Sequence, residues 1–338
     1  MPKLQDIARL AGVSKATASL ALNGSSKIKE STRQRVVDVA NKYHYIPKRS
    51  AQTLASGKSG IIGVVTPSVE SEFYGRLVRC LDKQIQRQGY TMYLALSNEQ
   101  LDLEEKAVQH FVGSDVEGVV VIPLNLPIDG SEIRYIDLLR NQGIPCVFAS
   151  SYYAGTTVPY CMVDLEDGTF RLVTHLLKSG RKKIVFYTGY RSAIPTALRI
   201  QGYRRAFAAY GLDADETNLI ECESIDYDYS YTLTAHLLDI GREIDAIIAV
   251  NDGMALGAVN SLRHRGCSVP EQVAVAGFDN VHYSRVSPVP ITTINQNLDE
   301  VSWGAVDLLF QQIQHKGELP GKRIIEPELI VRESTLSF

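Results

Sequence analysis

From Gly60 onwards the chain keeps returning to one pattern, a short run of β-branched and apolar residues followed by a longer stretch with apolar residues at helical spacing. GIIGVVT (60–66), YTMYLAL (90–96), GVVVIP (118–123) and PCVFA (145–149) are the first four runs, separated by helix-like segments that start near Phe73, Leu103 and Glu132. YCMV (160–163), KIVFYTG (183–189), AIIAV (246–250) and VAVAGF (273–278) make a second series, with helices expected near 166–179, 197–210, 229–240 and 253–265. Continuous apolar runs suit strands covered on both faces, and strands that alternate with helices lie parallel, joined by right-handed crossovers. The expectation is an α/β body of two doubly wound parallel-sheet units in tandem.

After this series, PITTINQNLDEVSWGAVDLLFQQI adds a strand and a long helix, and RIIEPELIVRES adds two short strands. If both units share these last elements, the chain crosses between them more than once and makes a hinge with a cleft. Ligands in open α/β sheets bind outside the carboxyl ends of the strands, so the cleft is the expected site.

The segment ahead of the body is built differently. DIARLAGVSKATASLALN, from Asp6 to Asn23, reads as two short helices around a tight turn, with Ile7, Ala8 and Ala11 at helical spacing and Gly12 breaking the run. The Ser14 hydroxyl can cap the second helix. A third helix in ESTRQRVVDVANKYHY puts Val36, Val39 and Ala40 on one face, where they can close a small core with Ile7, Ala8, Ala11, Val13, Ala18 and Leu22. Three helices so arranged are a helix-turn-helix module, whose second helix enters the DNA major groove. Pro47 ends the third helix, and KRSAQTLASGKSG follows as a linker with a short possible helix from Arg49 to Ala55.

Charge divides the chain at the same place. Residues 1–58 hold eleven Lys and Arg against Asp6, Glu30 and Asp38, which makes +8, and the whole-chain value of −3 leaves −11 for the rest. Such asymmetry suits a small module that neutralises phosphates attached to a body that must stay off DNA. Lys27, Lys29 and Arg33 sit near the start of the third helix, where backbone N–H groups also favour phosphate.

The five cysteines are scattered without a CxxC pair, so neither a zinc site nor a disulfide framework is expected. With no signal-like N-terminus and no apolar run long enough to span a membrane, a soluble cytoplasmic protein is the expectation.

Taken together, DIARLAGVSKATASLALNG, the linker YIPKRSAQTLASG, VNDGMALGA at 250–258 and VAVAGFDN at 273–280 resemble the lactose/galactose repressor family of bacterial transcription regulators over essentially the full length. The resemblance implies a helix-turn-helix domain at 1–45, a hinge linker at 46–59, and an effector-binding and dimerisation body at 60–338 like that of periplasmic binding proteins. Within the body it suggests an N-subdomain of about 60–160 plus 291–318 and a C-subdomain of about 161–290 plus 319–338. Lys15 and Ala16 match the start of the recognition helix and Leu20 its later base-reading position, while Ser14, Thr17 and Asn23 match phosphate-contacting positions. Ser19, Lys27, Lys29, Thr32, Tyr45, Pro47 and Lys48 complete the expected DNA face, and Leu54 matches a residue that wedges between central base steps from the minor groove. Two positions depart from the family pattern. Leu20 stands where many members carry an arginine suited to guanine, and Lys29 where a capping serine is usual.

In the body the resemblance places Phe73 and Tyr74 along the cleft, with Arg199, Asn251, Asp279 and Gln296 as polar effector contacts. Paired donors and acceptors of this kind suit a polyhydroxylated ligand. Asn251-Asp252 can equally cap the helix that follows, and Asp279-Asn280 can make a turn. Ser150 occupies a place where several sugar-binding members carry an aspartate; Arg191 nearby offers an extra cation, and Tyr227 heads a tyrosine cluster with Tyr229 and Tyr231. The expected partners are a pseudo-palindromic operator duplex, a carbohydrate effector or, alternatively, a sugar phosphate or purine, and a second copy of the chain. No cofactor or metal is expected.

An enzyme would be marked by a GxSxG elbow, an HExxH pair or an intact Walker sequence, and none is present. A sugar-binding protein without a DNA role fits the body but not the basic head.

Overall fold

The structure, a computed structural model, describes residues 2–45, 58–314 and 321–336. The described chain separates into two units, Met1–Gly60 and Ile61–Phe338.

The head holds α1 (Leu4–Leu10), α2 (Lys15–Leu22) and α3 (Glu30–Lys42). Gly12, at φ +65°, makes the left-handed turn between the first two, and the Ser14 hydroxyl caps α2 by accepting the Thr17 N–H at 3.0 Å. Ile7, Ala8, Ala11, Ala18, Ala21, Val36 and Ala40 are buried, with Val13, Leu22, Val39 and Tyr45 packed at the margin. Alanine-rich contacts let the short helices approach closely, but so small a core is marginal alone.

In the body, the first sheet takes β1 (Ile61–Thr66), β2 (Thr91–Leu96), β3 (Gly118–Val121), β4 (Cys146–Ala149), β5 (Tyr160–Val163) and β11 (Arg323–Ile325) in the order β11-β5-β4-β3-β1-β2. The second takes β6 (Ile184–Thr188), β7 (Leu219–Glu221), β8 (Ala246–Ala249), β9 (Ala274–Phe278), β10 (Thr292–Asn295) and β12 (Glu328–Ile330) in the order β12-β10-β9-β8-β6-β7. Every pairing is parallel except that of β10 with β12. Around the first sheet lie α4 (Glu72–Arg87), α5 (Leu101–Val112), α6 (Tyr135–Asn141) and α12 (Leu298–Gln314). The second carries α7 (Leu165–Lys178), α8 (Ile194–Ala209), α9 (Tyr227–Asp239), α10 (Asp252–His264) and the short α11 (His282–Val286). Among the described residues no helix is long and apolar enough to cross a membrane.

Residues β1, β3, β4 and β8 bury along their whole length, as their continuous apolar runs require. Helix pairs on the second sheet touch through glycine. A Cβ on Gly202 would come within 2.1 Å of the Glu166 carbonyl oxygen, and one on Gly257 within 2.4 Å of that of Tyr227.

Two expectations need correction. YTMYLAL is not a buried strand: β2 is an edge, with Tyr93, Leu94 and Leu96 about 40% exposed. The strands also divide differently between the sheets from the expected subdomain split. YCMV joins the first sheet between β4 and β11, β10 belongs to the second, and only α12 of the segment from 291 to 318 packs on the first. The two short terminal strands go one to each sheet. Short apolar strands look alike in sequence, and their sheet is decided by pairing partners far along the chain.

Candidate functional site

On the head, Lys15, Ala16, Leu20 and Asn23 are exposed and Thr17 and Ser19 half-buried, while Ala18 and Ala21 face the core. Positions 15, 16, 19, 20 and 23 therefore share the outer face of α2 and its end. Leu20 is 40% exposed, a leucine the small core does not use. Lys27 and Lys29 are exposed, and Lys29 begins α3 without a side-chain cap. Arg33 is committed locally, donating to Glu30 and to the Ser25 carbonyl oxygen at 2.9 Å each. Thr32 and Tyr45 are half-buried, Tyr45 against the helical core. Pro47, Lys48 and Leu54 lie outside the described residues.

In the body, the carboxyl ends of both sheets converge on one cavity with about 610 Å³ of empty space, partly open to solvent. Phe73, Tyr74, Ser150, Arg199, Asn251, Asp279 and Gln296 all line it. Each follows a strand or sits in the helix after one: Phe73 and Tyr74 after β1, Ser150 after β4, Arg199 in the helix after β6, Asn251 after β8, Asp279 after β9 and Gln296 after β10. Arg191 and Tyr227 are not among the lining residues. The Arg191 guanidinium turns away to Glu216 and the Leu219 carbonyl oxygen, and its backbone N–H donates to Glu221. The Tyr227 phenol accepts from Asn260 at 3.0 Å and its ring stacks on Tyr231, as α9 packs on α10. The register of α9 sets this, by turning residues four apart onto one face.

Asparagine 125, Thr196 and Ile225 line the cavity although no motif singled them out. The Asn125 amide donates to the Tyr74 hydroxyl at 3.0 Å. Its place just beyond β3 was the available signal, since every parallel strand delivers its next residues to this edge.

The charges of the cavity are balanced and buried. Arg199 and Asp279 are each 8% exposed. Burial pushes the Asp279 carboxyl up to about 6, against the opposing pull of Arg199 and of Gln296, whose Nε2 donates to Oδ1 at 2.5 Å. Burial likewise draws the Arg199 guanidinium down to about 10, resisted by Asp279. The guanidinium lies over the Phe278 ring at 4.4 Å, and its buried Nε has no hydrogen-bond partner. Tyr74 is raised by burial and by Glu99 and Asp279. Asn251 is already engaged: its Oδ1 caps α10 through the Met254 N–H and its Nδ2 donates to the Ile225 carbonyl oxygen, both at 2.8 Å.

Backbone strain marks the same edge. Ser150, Asp279 and Asn280 have φ of +69°, +106° and +52°, values that favour glycine. The Asp279–Asn280 loop is held there by buried Asp252, which accepts the Val281 N–H at 3.0 Å and the Thr293 hydroxyl at 2.6 Å. Arg332 adds a bond to Asn280 Oδ1 at 2.6 Å. Across the cleft, Arg76 of α4 donates to the Asn280 carbonyl oxygen at 2.7 Å, and Glu72 accepts the His282 N–H at 2.6 Å. Among the described residues no group of three or more His, Cys, Asp or Glu is placed to hold a metal ion.

A helix-turn-helix head joined in one chain to a two-sheet body with a polar cleft defines a DNA-binding regulator as a class. Residues 3–48 match the model of the bacterial regulatory proteins of the lacI family, and residues 173–335 that of the periplasmic binding protein-like domain. Catabolite control protein A of Priestia megaterium is 29% identical over 307 residues, 90% of this chain and 91% of that protein. Among solved structures, the lac repressor dimer bound to operator and the anti-inducer ONPF has a TM-score of 0.86 at 26% identity over 99% of both chains. A transcriptional regulator CelR–cellobiose complex has a TM-score of 0.73 at 26% identity over 99% of this chain and 100% of that one. The chain belongs to the lacI family of bacterial transcription regulators, proteins that act by binding and not by catalysis.

Proposed function

We propose that this protein is a cytoplasmic transcriptional repressor whose operator affinity is switched by a neutral carbohydrate bound between the two lobes of its body. One observation carries the ligand class: a buried Arg199 with an unpartnered Nε and a buried Asp279 face the same cavity, so their charges balance and their hydrogen-bonding capacity is incompletely used. Vicinal hydroxyls, each both donor and acceptor, match such a pair. A phosphorylated sugar would set a second negative charge beside Asp279 with Arg199 as the one cation among the cavity's lining residues, since Arg191 points elsewhere. Phe73 and Tyr74, packed edge to face, add ring surface to the lining of the same cavity. No cofactor enters this reading.

On DNA, two chains pair through their bodies so that two recognition helices meet the half-sites of a pseudo-palindrome. The exposed apolar edge of β2 supports pairing, because an unprotected strand edge invites a partner. Ligand binding changes the operator-competent population only as far as it favours one lobe arrangement over the other. A thermal-shift screen of purified protein against neutral sugars, sugar phosphates and purines tests the ligand, since saturation ~100-fold above Kd adds about 2.7 kcal/mol of stability. A shift with neutral sugars that also changes operator binding in a gel-shift titration is expected. Stabilisation by purines or phosphates alone would overturn the carbohydrate reading.

A further inference from the structure

Beside the sugar cleft, and separate from its lining, an open crevice runs between the first turns of α4 and the loop and helix α11 that follow β9. Three guanidinium groups line it, Arg76 and Arg79 from the first lobe and Arg285 from the second, and Glu72 is the one carboxylate among its lining residues. That carboxylate already accepts the His282 N–H. Arg285 donates to His282 Nδ1 at 3.1 Å, which orients both side chains at the rim. Arg79 and Arg285 are exposed, and Arg76 is half-buried where it bridges to Asn280.

Like charges converging on one opening repel each other unless an anion joins them, and guanidinium groups are the cations best shaped to take a phosphate through paired N–H bonds. We infer that this crevice is a binding site for a phosphomonoester anion, gripped by Arg76 and Arg79 on one lobe and Arg285 on the other. Such a ligand would hold the lobes together from outside the sugar cleft. It would also act on the loop that presents Asp279, because Asn280, bonded to Arg76, is its neighbour. The shared chemistry is the phosphate dianion, whether free or carried by a small metabolite.

Titration calorimetry on the full-length protein tests this, with inorganic phosphate and a hexose 6-phosphate at ionic strength held constant by chloride. The wild type should bind with saturation. The Arg79→Gln/Arg285→Gln double variant, changed only at exposed positions, should melt like the wild type and bind phosphate about tenfold or more weakly. Tighter binding of the hexose phosphate than of phosphate, lost in the same variant, would identify a metabolite as the occupant; equal binding would identify the free ion. No saturable binding would overturn the proposal. So would equal affinity in the double variant, because the anion would then sit in the sugar cleft or on the basic head.

Discussion

The head and the body each present a few candidate recognition side chains, but they hold them in opposite environments. Lys15, Ala16, Leu20 and Asn23 stand in water above a core of seven buried residues. Arg199 and Asp279 are buried between two sheets, where each charge costs folding energy that the protein recovers only in part. The difference has a consequence for change. On the proposed roles, the exposed residues can be exchanged to alter the operator with little effect on stability, whereas the buried pair would tie stability to ligand occupancy. If this contrast is right, damage on one side should leave the other side's function intact.

The largest separation is expected from Arg199→Ala. Removing the guanidinium deletes charge-assisted bonds to the ligand and leaves Asp279 buried without its counter-charge, so effector affinity should fall about a hundredfold. Operator affinity without effector should be unchanged. Calorimetry with the sugar identified by thermal shift, beside a gel-shift titration, reads both. Retention of the full effector response would show that Arg199 is structural.

The converse variant is Leu54→Ala, in the linker. If Leu54 wedges into a central base step, losing it should weaken operator binding by about tenfold or more, since unstacking and wrapping are worth a few kcal/mol. Effector affinity should not move. An unchanged gel shift would remove the wedge role and leave the recognition helices to carry the affinity alone.

A smaller effect follows from pH. Burial holds Asp279 near 6, above the ordinary 3.8, so the folded protein takes up a proton there while a solvated aspartate is still ionised. Above that value the carboxylate accepts ligand hydroxyls; as pH falls through it, the proton occupies an acceptor site. Effector affinity should therefore decline from about pH 7 to about pH 5 by up to tenfold, one unit of linked protonation costing about 1.4 kcal/mol. Asp279→Asn should bind weakly and show a flat profile. A wild-type profile as flat as that of the variant would mean that the carboxylate does not meet the ligand.

What could be read from sequence follows the same contrast. The three helices of the head, its core and the outward face of α2 were all visible, because amphipathic spacing and a capping serine are local properties. Most strands and helices of the body are legible for the same reason, but β7 and the short α11 carry no such pattern and were not expected. What local pattern could not show was the destination of each strand: YCMV was placed with the second sheet and pairs in the first, and the exposed edge of β2 reads like any buried run. Among cleft residues, Arg199, Asn251 and Asp279, which match the family's polar contacts, line the cavity, whereas Arg191 and Tyr227 rest on chemistry and proximity alone and turn elsewhere. Asn125 carries no motif in the sequence, because a lone asparagine in a loop has no pattern until the sheet brings it beside Tyr74.

The smallest expected effect tests the head's side of the contrast, at Ser14. Its hydroxyl closes the first turn of α2 by accepting the Thr17 N–H and meets the Thr17 hydroxyl at 2.9 Å. Ser14→Ala should lower the stability of the head by about 1 kcal/mol, a sizeable share for a module with so small a core, and leave the body's melting unchanged. Ser14→Asp separates the two roles of the position. A carboxylate keeps the cap and favours the helix N-terminus, so the head should stay as stable as the wild type, yet it would stand where the operator phosphate is expected. Hydrogen exchange over residues 4–42 reads stability, and a gel-shift titration reads affinity. Equal operator affinity for Ser14→Asp and wild type would show that Ser14 caps the helix and does not meet the backbone of the duplex.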